Sequence, residues 1–263
     1  MITARCGSRS LRAAVAAAMS MAAVGGATAA DIIFVSDMEN SHLIQWVRRH
    51  AYAGGASIVL EPAYVTAFRI SGSGGIYLTM YLEVPPALNG NADYPKRSAL
   101  KTFGDSSGGL PAIGDCVIVE GVIGRFNGAT QIASATWTPE SSATCGDVPI
   151  TPFATPSVAS VATDTDPGTA GRQPAATAEP YESVLIKLSS PYVLNSNGGA
   201  GAFQISDVAN GSTGYLSVAQ FIYQYNSTAS TQLTSVTGVL DEFDTMTEIV
   251  YQLLPRAASD IVE

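Results

Sequence analysis

The side chains that could do acid–base or metal chemistry are few and poorly spaced for it. His42 and His50 are the two histidines of the sequence, eight positions apart, with Asp37 and Glu39 nearby. A metal-binding pair on a helix needs a spacing of about three or four so that both rings share one face. The expected reading is therefore solvated histidines on a helix, and a metal site would need that helix to pack unusually. Serines are plentiful, yet none stands in a Gly-x-Ser-x-Gly elbow. Ser71-Gly72-Ser73-Gly74-Gly75 lacks the strand-to-helix setting of a phosphate-cradling loop and reads as a hairpin turn. Asp241, Glu242, Asp244 and Glu248 crowd one stretch. They could hold Ca2+ with backbone carbonyls completing the shell, although the spacing is not that of an EF-hand loop; the competing reading is an exposed acidic turn that aids solubility. No catalytic constellation emerges, and Ca2+ is the single candidate ion.

Binding chemistry is better represented. In Ile76-Tyr77-Leu78-Thr79-Met80-Tyr81-Leu82 the aliphatic residues alternate with Tyr77, Thr79 and Tyr81. A strand places the two sets on opposite faces. Arg69, Lys96, Arg97 and Lys101 are near in sequence, so aromatic rings and positive charge could meet on one surface. The competing reading packs Tyr77 and Tyr81 against residues 85–110 or against a second barrel formed by the later half of the chain.

Charge sets limits on partners. The 263 residues hold 13 basic and 22 acidic side chains, a net −9. Arg5, Arg9 and Arg12 precede an apolar run from Ala13 to Val24 and the small residues Ala27-Thr28-Ala29-Ala30. That order is the pattern of a secretory signal peptide over residues 1–30, with cleavage expected between Ala30 and Asp31; an uncleaved anchor is the alternative. Without it, ten basic residues face twenty-two acidic ones, a net −12. Such a chain repels polyanions, and double-stranded nucleic acid is not an expected partner. No later run is long and apolar enough to span a bilayer. The expected location is secreted or periplasmic. Cys6 leaves with the leader, and the remaining pair, Cys116 and Cys145, suits one disulfide in an exported protein, the alternative being two separate thiols.

The organising feature is an internal match. Val119-Glu120-Gly121-Val122-Ile123-Gly124-Arg125-Phe126-Asn127, then Thr130-Gln131-Ile132, aligns without a gap on Val236-Thr237-Gly238-Val239-Leu240-Asp241-Glu242-Phe243-Asp244, then Thr247-Glu248-Ile249. The shared glycine inside an apolar run predicts a bulge or a barrel corner. Upstream, Pro62 to Leu78 and Pro191 to Ile205 each run strand, glycine turn, strand. Adding Ser57 to Leu60 and Ser183 to Leu188 brings each half to about five strands, the number of a small Greek-key barrel; a sandwich is the alternative. The expected fold is all-β. Its parts are a signal peptide at 1–30, a segment with one short helix at 31–52, barrels at 53–150 and 178–263, and a Pro/Thr/Ala-rich linker at 151–177. The helix is expected over Ser41 to Ala51, capped by Ser41, with Leu43, Ile44 and Val47 on one face. Phe203 and Ile205 read as core.

The phrases Ile113-Gly114-Asp115-Cys116-Val117-Ile118-Val119-Glu120-Gly121, Glu179-Pro180-Tyr181-Glu182-Ser183-Val184-Leu185-Ile186 and Leu254-Pro255-Arg256-Ala257-Ala258-Ser259-Asp260-Ile261 resemble the tandem OB-fold domains of secreted bacterial proteins. These include domains attached to extracellular endonuclease/exonuclease/phosphatase-type nucleases. The resemblance covers about residues 53–263 and implies two OB-like barrels with no catalytic residue carried over. In multidomain relatives the nuclease module follows such a region, whereas this sequence ends at Glu263. OB domains take ligands around their second and third strands, where aromatic rings stack on bases or sugars. The resulting expectation is an exported, non-catalytic binding or accessory protein that engages a polymer or protein through the first barrel by way of Tyr77, Thr79, Tyr81 and Arg69. Residues 53–150 favour that barrel, with net −3 against −7 for residues 178–263. An envelope-assembly scaffold is the second reading and a nuclease-related enzyme the third.

Overall fold

Short runs of alternating apolar residues, punctuated by Gly, Ser and Pro, can bury one face of a strand but rarely sustain a helix. In the computed structural model these runs are strands and the protein is all-β, with one α-helix among the described residues. The structure describes residues 42–49, 55–88, 95–126, 129–155, 157–161, 178–197, 201–244 and 249–263. The expected leader at 1–30, the cap at Ser41, His50 and Glu248 lie outside them.

The helix α1 (Leu43–Arg49) begins later than expected, with His42 already outside it, and its expected end at His50 to Ala51 lies outside the described residues. Its cap is His42, whose Nδ1 accepts the Ile44 N–H at 3.2 Å while Nε2 donates to the Pro62 carbonyl at 3.1 Å. His42 is buried, not solvated as the sequence suggests. Burial first of all lowers its pKa, and the capping geometry uses the neutral ring. Ile44 and Val47 are buried against the first sheet, with Leu43 packed partly against it.

The first sheet contains β1 (Ser57–Val59), β2 (Ala63–Ser71), β3 (Tyr77–Glu83), β4 (Ala99–Asp105), β5 (Cys116–Phe126) and β6 (Ala129–Glu140). Its pairings run in a ring. β2 pairs with β3 and β3 with β4, both antiparallel; β4 pairs with β6 in parallel, β6 with β5, and β5 returns to β2. Leu78, Met80, Leu82 and Leu100 fill the inside together with Val117, Val119 and Ile132.

The second sheet contains β7 (Phe153–Ala154), β8 (Leu185–Ser189), β9 (Tyr192–Val193), β10 (Phe203–Ser206), β11 (Leu216–Val218), β12 (Ser235–Asp244), β13 (Ile249–Leu254) and β14 (Ile261–Val262). β9 pairs with β10, β10 with β11, β11 with β13 in parallel, β13 with β12, and β12 with β8. Pro191 interrupts what would be one strand from β8 into β9, and residues 255–260 separate β13 from β14, both of which pair with β12. Phe203 and Ile205 are fully buried in its core, as their sequence setting suggests.

Gly121 of β5 and Gly238 of β12 both lie hard against neighbouring chain. A Cβ on Gly121 would lie 2.7 Å from the Ala133 carbonyl oxygen, and one on Gly238 2.7 Å from that of Leu254. The register of β5 on β6 shifts at Glu120/Val122, beside Gly121. Beyond the hairpins the match has a different meaning in the two halves. Ile132 pairs with Ile123, whereas Ile249 pairs with Asp244, because the second hairpin has the longer loop. Gly238→Ala is expected to cost about 1–3 kcal/mol by forcing β12 off β13; a urea midpoint within error of wild type would show that the strand relaxes freely.

A disulfide joins Cys116 at the start of β5 to Cys145, with Cα atoms 6.0 Å apart. The stretch expected to be a linker is part of the second sheet at its start: β7 pairs with β8, and Val158 and Val161 lie in the core. Its carboxyl-terminal part, 162–177, is outside the described residues. All described residues belong to one compact unit. The two sheets are tied directly, with the Arg97 N–H donating to the Pro180 carbonyl at 2.6 Å and Arg256 Nη1 to the Thr66 carbonyl at 3.1 Å. No helix among the described residues is long and apolar enough to cross a membrane.

Candidate binding face and buried carboxyl cluster

Pairing register decides which side chains share the outer face of the first ring. Ser71, Tyr77 and Asp105 are paired across β2, β3 and β4; so are Arg69, Thr79 and Phe103, and then Ala67, Tyr81 and Lys101. Directly paired residues point the same way, so Tyr77, Thr79 and Tyr81 share one face as the alternation predicts, and the register brings Arg69 onto it.

The face is not uniformly open. At one end Tyr81 is 0% exposed, packed with Ala67 against Leu185, Val239 and Leu254 of the second sheet. Burial and the neighbouring Asp241 carboxylate push its hydroxyl pKa well up. Thr79 is buried as well. The expectation that these two present a ligand surface is therefore corrected: alternation separates the faces but does not say what covers the outer one. Lys101, counted as free positive charge, is buried too, with Nζ 2.8 Å from Asp241 Oδ1. At the other end Tyr77 is 42% exposed and stacks on Phe103 with ring centroids 5.3 Å apart. Arg69 lies next along the same face, its guanidinium carbon 5.0 Å from the ring centre of Phe221, itself 57% exposed. The open remnant is a short strip made by Tyr77, Phe103, Arg69 and Phe221. The contribution of Phe221, from the loop after β11, had no sequence signal that placed it here.

Of the carboxylates proposed for Ca2+, the two whose side chains are described, Asp241 and Glu242, do not meet. Asp241 and Glu242 are consecutive on β12 and point to opposite faces. Asp241 meets Lys101, while Glu242 follows Leu240 on the core-facing side. Both are buried, so neither belongs to an exposed acidic turn. β12 includes Asp244.

Glu242 instead joins a set the sequence did not assemble. Carboxylate oxygens of Glu179, Glu182 and Glu242 lie within 4.8 Å of one another. Arg48 of α1 clasps the first two: Nη1 donates to Glu182 Oε2 at 2.5 Å, and Nη2 donates to Glu179 Oε1 at 3.1 Å and to the Glu179 carbonyl at 2.9 Å. The Tyr251 hydroxyl is 3.4 Å from Glu179 Oε2 and 3.5 Å from Glu242 Oε2. Three carboxylates would suit a hard cation, but here a guanidinium already supplies positive charge to two of them. Burial above all, then Glu182 and Glu179, pushes the Glu242 carboxyl up to about 9. Burial also raises that of Glu182 despite Arg48.

The chain matches no protein-family model and no curated protein. The geometry has to carry the functional reading.

Proposed function

We propose that the chain is an exported, non-catalytic binding protein built from two OB-like barrels in tandem, and that its partner is a polysaccharide held on the strip of Tyr77, Phe103 and Arg69. The stacking of exposed Tyr77 on half-buried Phe103 is the observation that carries this reading. Flat apolar ring faces flanked by a hydrogen-bonding cation suit sugar rings. The net −12 of residues 31–263 opposes polyanions, and Arg69 is the one basic side chain on the strip.

Support for the barrels comes from the ring order of the first sheet and from the same neighbour sequence in the second, which is the five-strand order of an OB barrel. Export is supported by the basic-apolar-small leader pattern and by the disulfide. The scaffold reading is favoured by one observation: the second half covers Ala67 and Tyr81, so that end of the outer strand face serves to join the halves.

A titration against neutral polysaccharides, acidic polysaccharides and single-stranded DNA tests the binding reading. Saturable binding to a neutral glycan is expected, weakened about tenfold or more in Tyr77→Ala and in Phe103→Ala, as for an aromatic anchor. Binding that survives both changes would place the site elsewhere, and capture of DNA alone would reverse the choice of polymer. No binding to any polymer favours the scaffold.

A further inference from the structure

We infer that Glu182 and Glu242 share one proton, and that this proton is a pH-sensitive clasp holding the second sheet against α1. The charges at the site require such an arrangement. One guanidinium, Arg48, faces three carboxyl groups, and the side chains of Arg48, Glu182 and Glu242 are almost wholly removed from water. Glu242 is 1% exposed and lies on the same side of β12 as core residue Leu240. Ionising all three would leave two uncompensated negative charges in a desolvated space, which is far costlier than keeping one group neutral.

Hydrogen bonding points to the same two residues. Glu182 Oε1 and Glu242 Oε1 are buried acceptors with no donor in reach. Arg48 is engaged with Glu182 Oε2 and with Glu179, and Tyr251 Oη with Glu179 Oε2 and Glu242 Oε2. A proton on one of the two carboxyls turns an orphaned acceptor into a donor for the other. The charged and titratable groups around the pair are Arg48 on α1, Glu179 on the adjoining turn and Tyr251 on β13. Beyond these come the Lys101–Asp241 pair between β4 and β12, and Glu83 of β3, which accepts the Leu185 N–H at 3.2 Å. Arg48 is the cation in direct contact with the glutamates.

When the proton leaves, the carboxylates on residue 182 and on β12 repel. The turn that carries Glu179 and Glu182, with Arg48 clasped to it, is then pushed off β12. The sign follows from linkage. The folded-state pKa of Glu242 lies above its ordinary value of 4.5, at about 9. The stabilisation is complete at and below the lower value and is lost as pH rises through the upper one.

Urea unfolding of the full chain, wild type and Glu242→Gln, across that pH window provides the test. The glutamine keeps a donor and carries no charge. Relative to Glu242→Gln, the wild-type folding equilibrium constant is expected to fall about tenfold per pH unit inside the window. Parallel profiles would overturn the inference. Should the variant fail to fold, the infrared spectrum of the wild-type full chain decides instead: a carboxylic acid C=O band present at neutral pH and gone at strongly alkaline pH is expected, and its absence at neutral pH would be fatal. Added calcium that stabilises the wild type and abolishes its pH dependence would also overturn the inference, since a cation would then hold the cluster in place of the proton.

Discussion

Arg48→Met is expected to lower the unfolding free energy by about 3–5 kcal/mol at pH 8, the range for removing one partner of a buried ion pair. Methionine keeps much of the volume and the apolar stem but leaves Glu182 and Glu179 facing Glu242 with no guanidinium. The effect is large because Arg48 bridges parts of the chain that nothing local holds together: its partner Glu182 lies 134 positions away. Arg48→Lys should recover only part of the loss, since one ammonium cannot reproduce the fork that serves Glu182, Glu179 and the Glu179 carbonyl together. At pH 5 the cost of Arg48→Met should shrink, because the glutamates can then take up protons and lose their mutual repulsion. Urea titrations at both pH values check this. A loss below about 1 kcal/mol at pH 8 would mean that the cluster is solvated enough to need no counter-charge.

Replacing Cys116 and Cys145 together by alanine is expected to cost about 3–4 kcal/mol, from the chain-entropy relation applied to a closed loop spanning a separation of 29. The bridge ties the start of β5 to the turn beyond β6, and Cys145 is buried beside Tyr64. It lies wholly within the first half. Ion pairs and hydrogen bonds join the halves all the same, so loss of the bridge is expected to move the unfolding of both together. Near-ultraviolet circular dichroism and denaturant midpoints, with and without reductant, read the effect. Unchanged midpoints in reductant would show that the loop is already restrained by β5–β6 pairing in the unfolded ensemble.

Much of the architecture is local and so could be read from the chain. Alternation over residues 76–82 predicts a strand with two unlike faces, and β3 is that strand. The glycines at 121 and 238 predict a bulge or a barrel corner, and β5 shifts register on β6 beside Gly121, although no shift accompanies Gly238. Two cysteines left after the leader predict a bridge, which is present. In each case the determining physics is a pattern within one strand or the count of one residue type.

Tertiary structure alone decided which outer faces are covered and which charges meet. Alternation puts Tyr77 and Tyr81 on the same side, but only the second sheet, docked over β3, buries Tyr81 and leaves Tyr77 exposed. Lys101 and Asp241 are 140 positions apart, and neither sequence neighbourhood marks a partner for the other. Glu242 gave one local hint, since Val236, Gly238, Leu240 and Glu242 form the same-face series of β12 and so put a carboxyl in line with the core. What that carboxyl would face depended on α1 and on the turn at 179–182 arriving at the same place. A buried charge is tolerated only where distant groups converge to compensate it, and that convergence is a property of the folded chain, not of any segment of it.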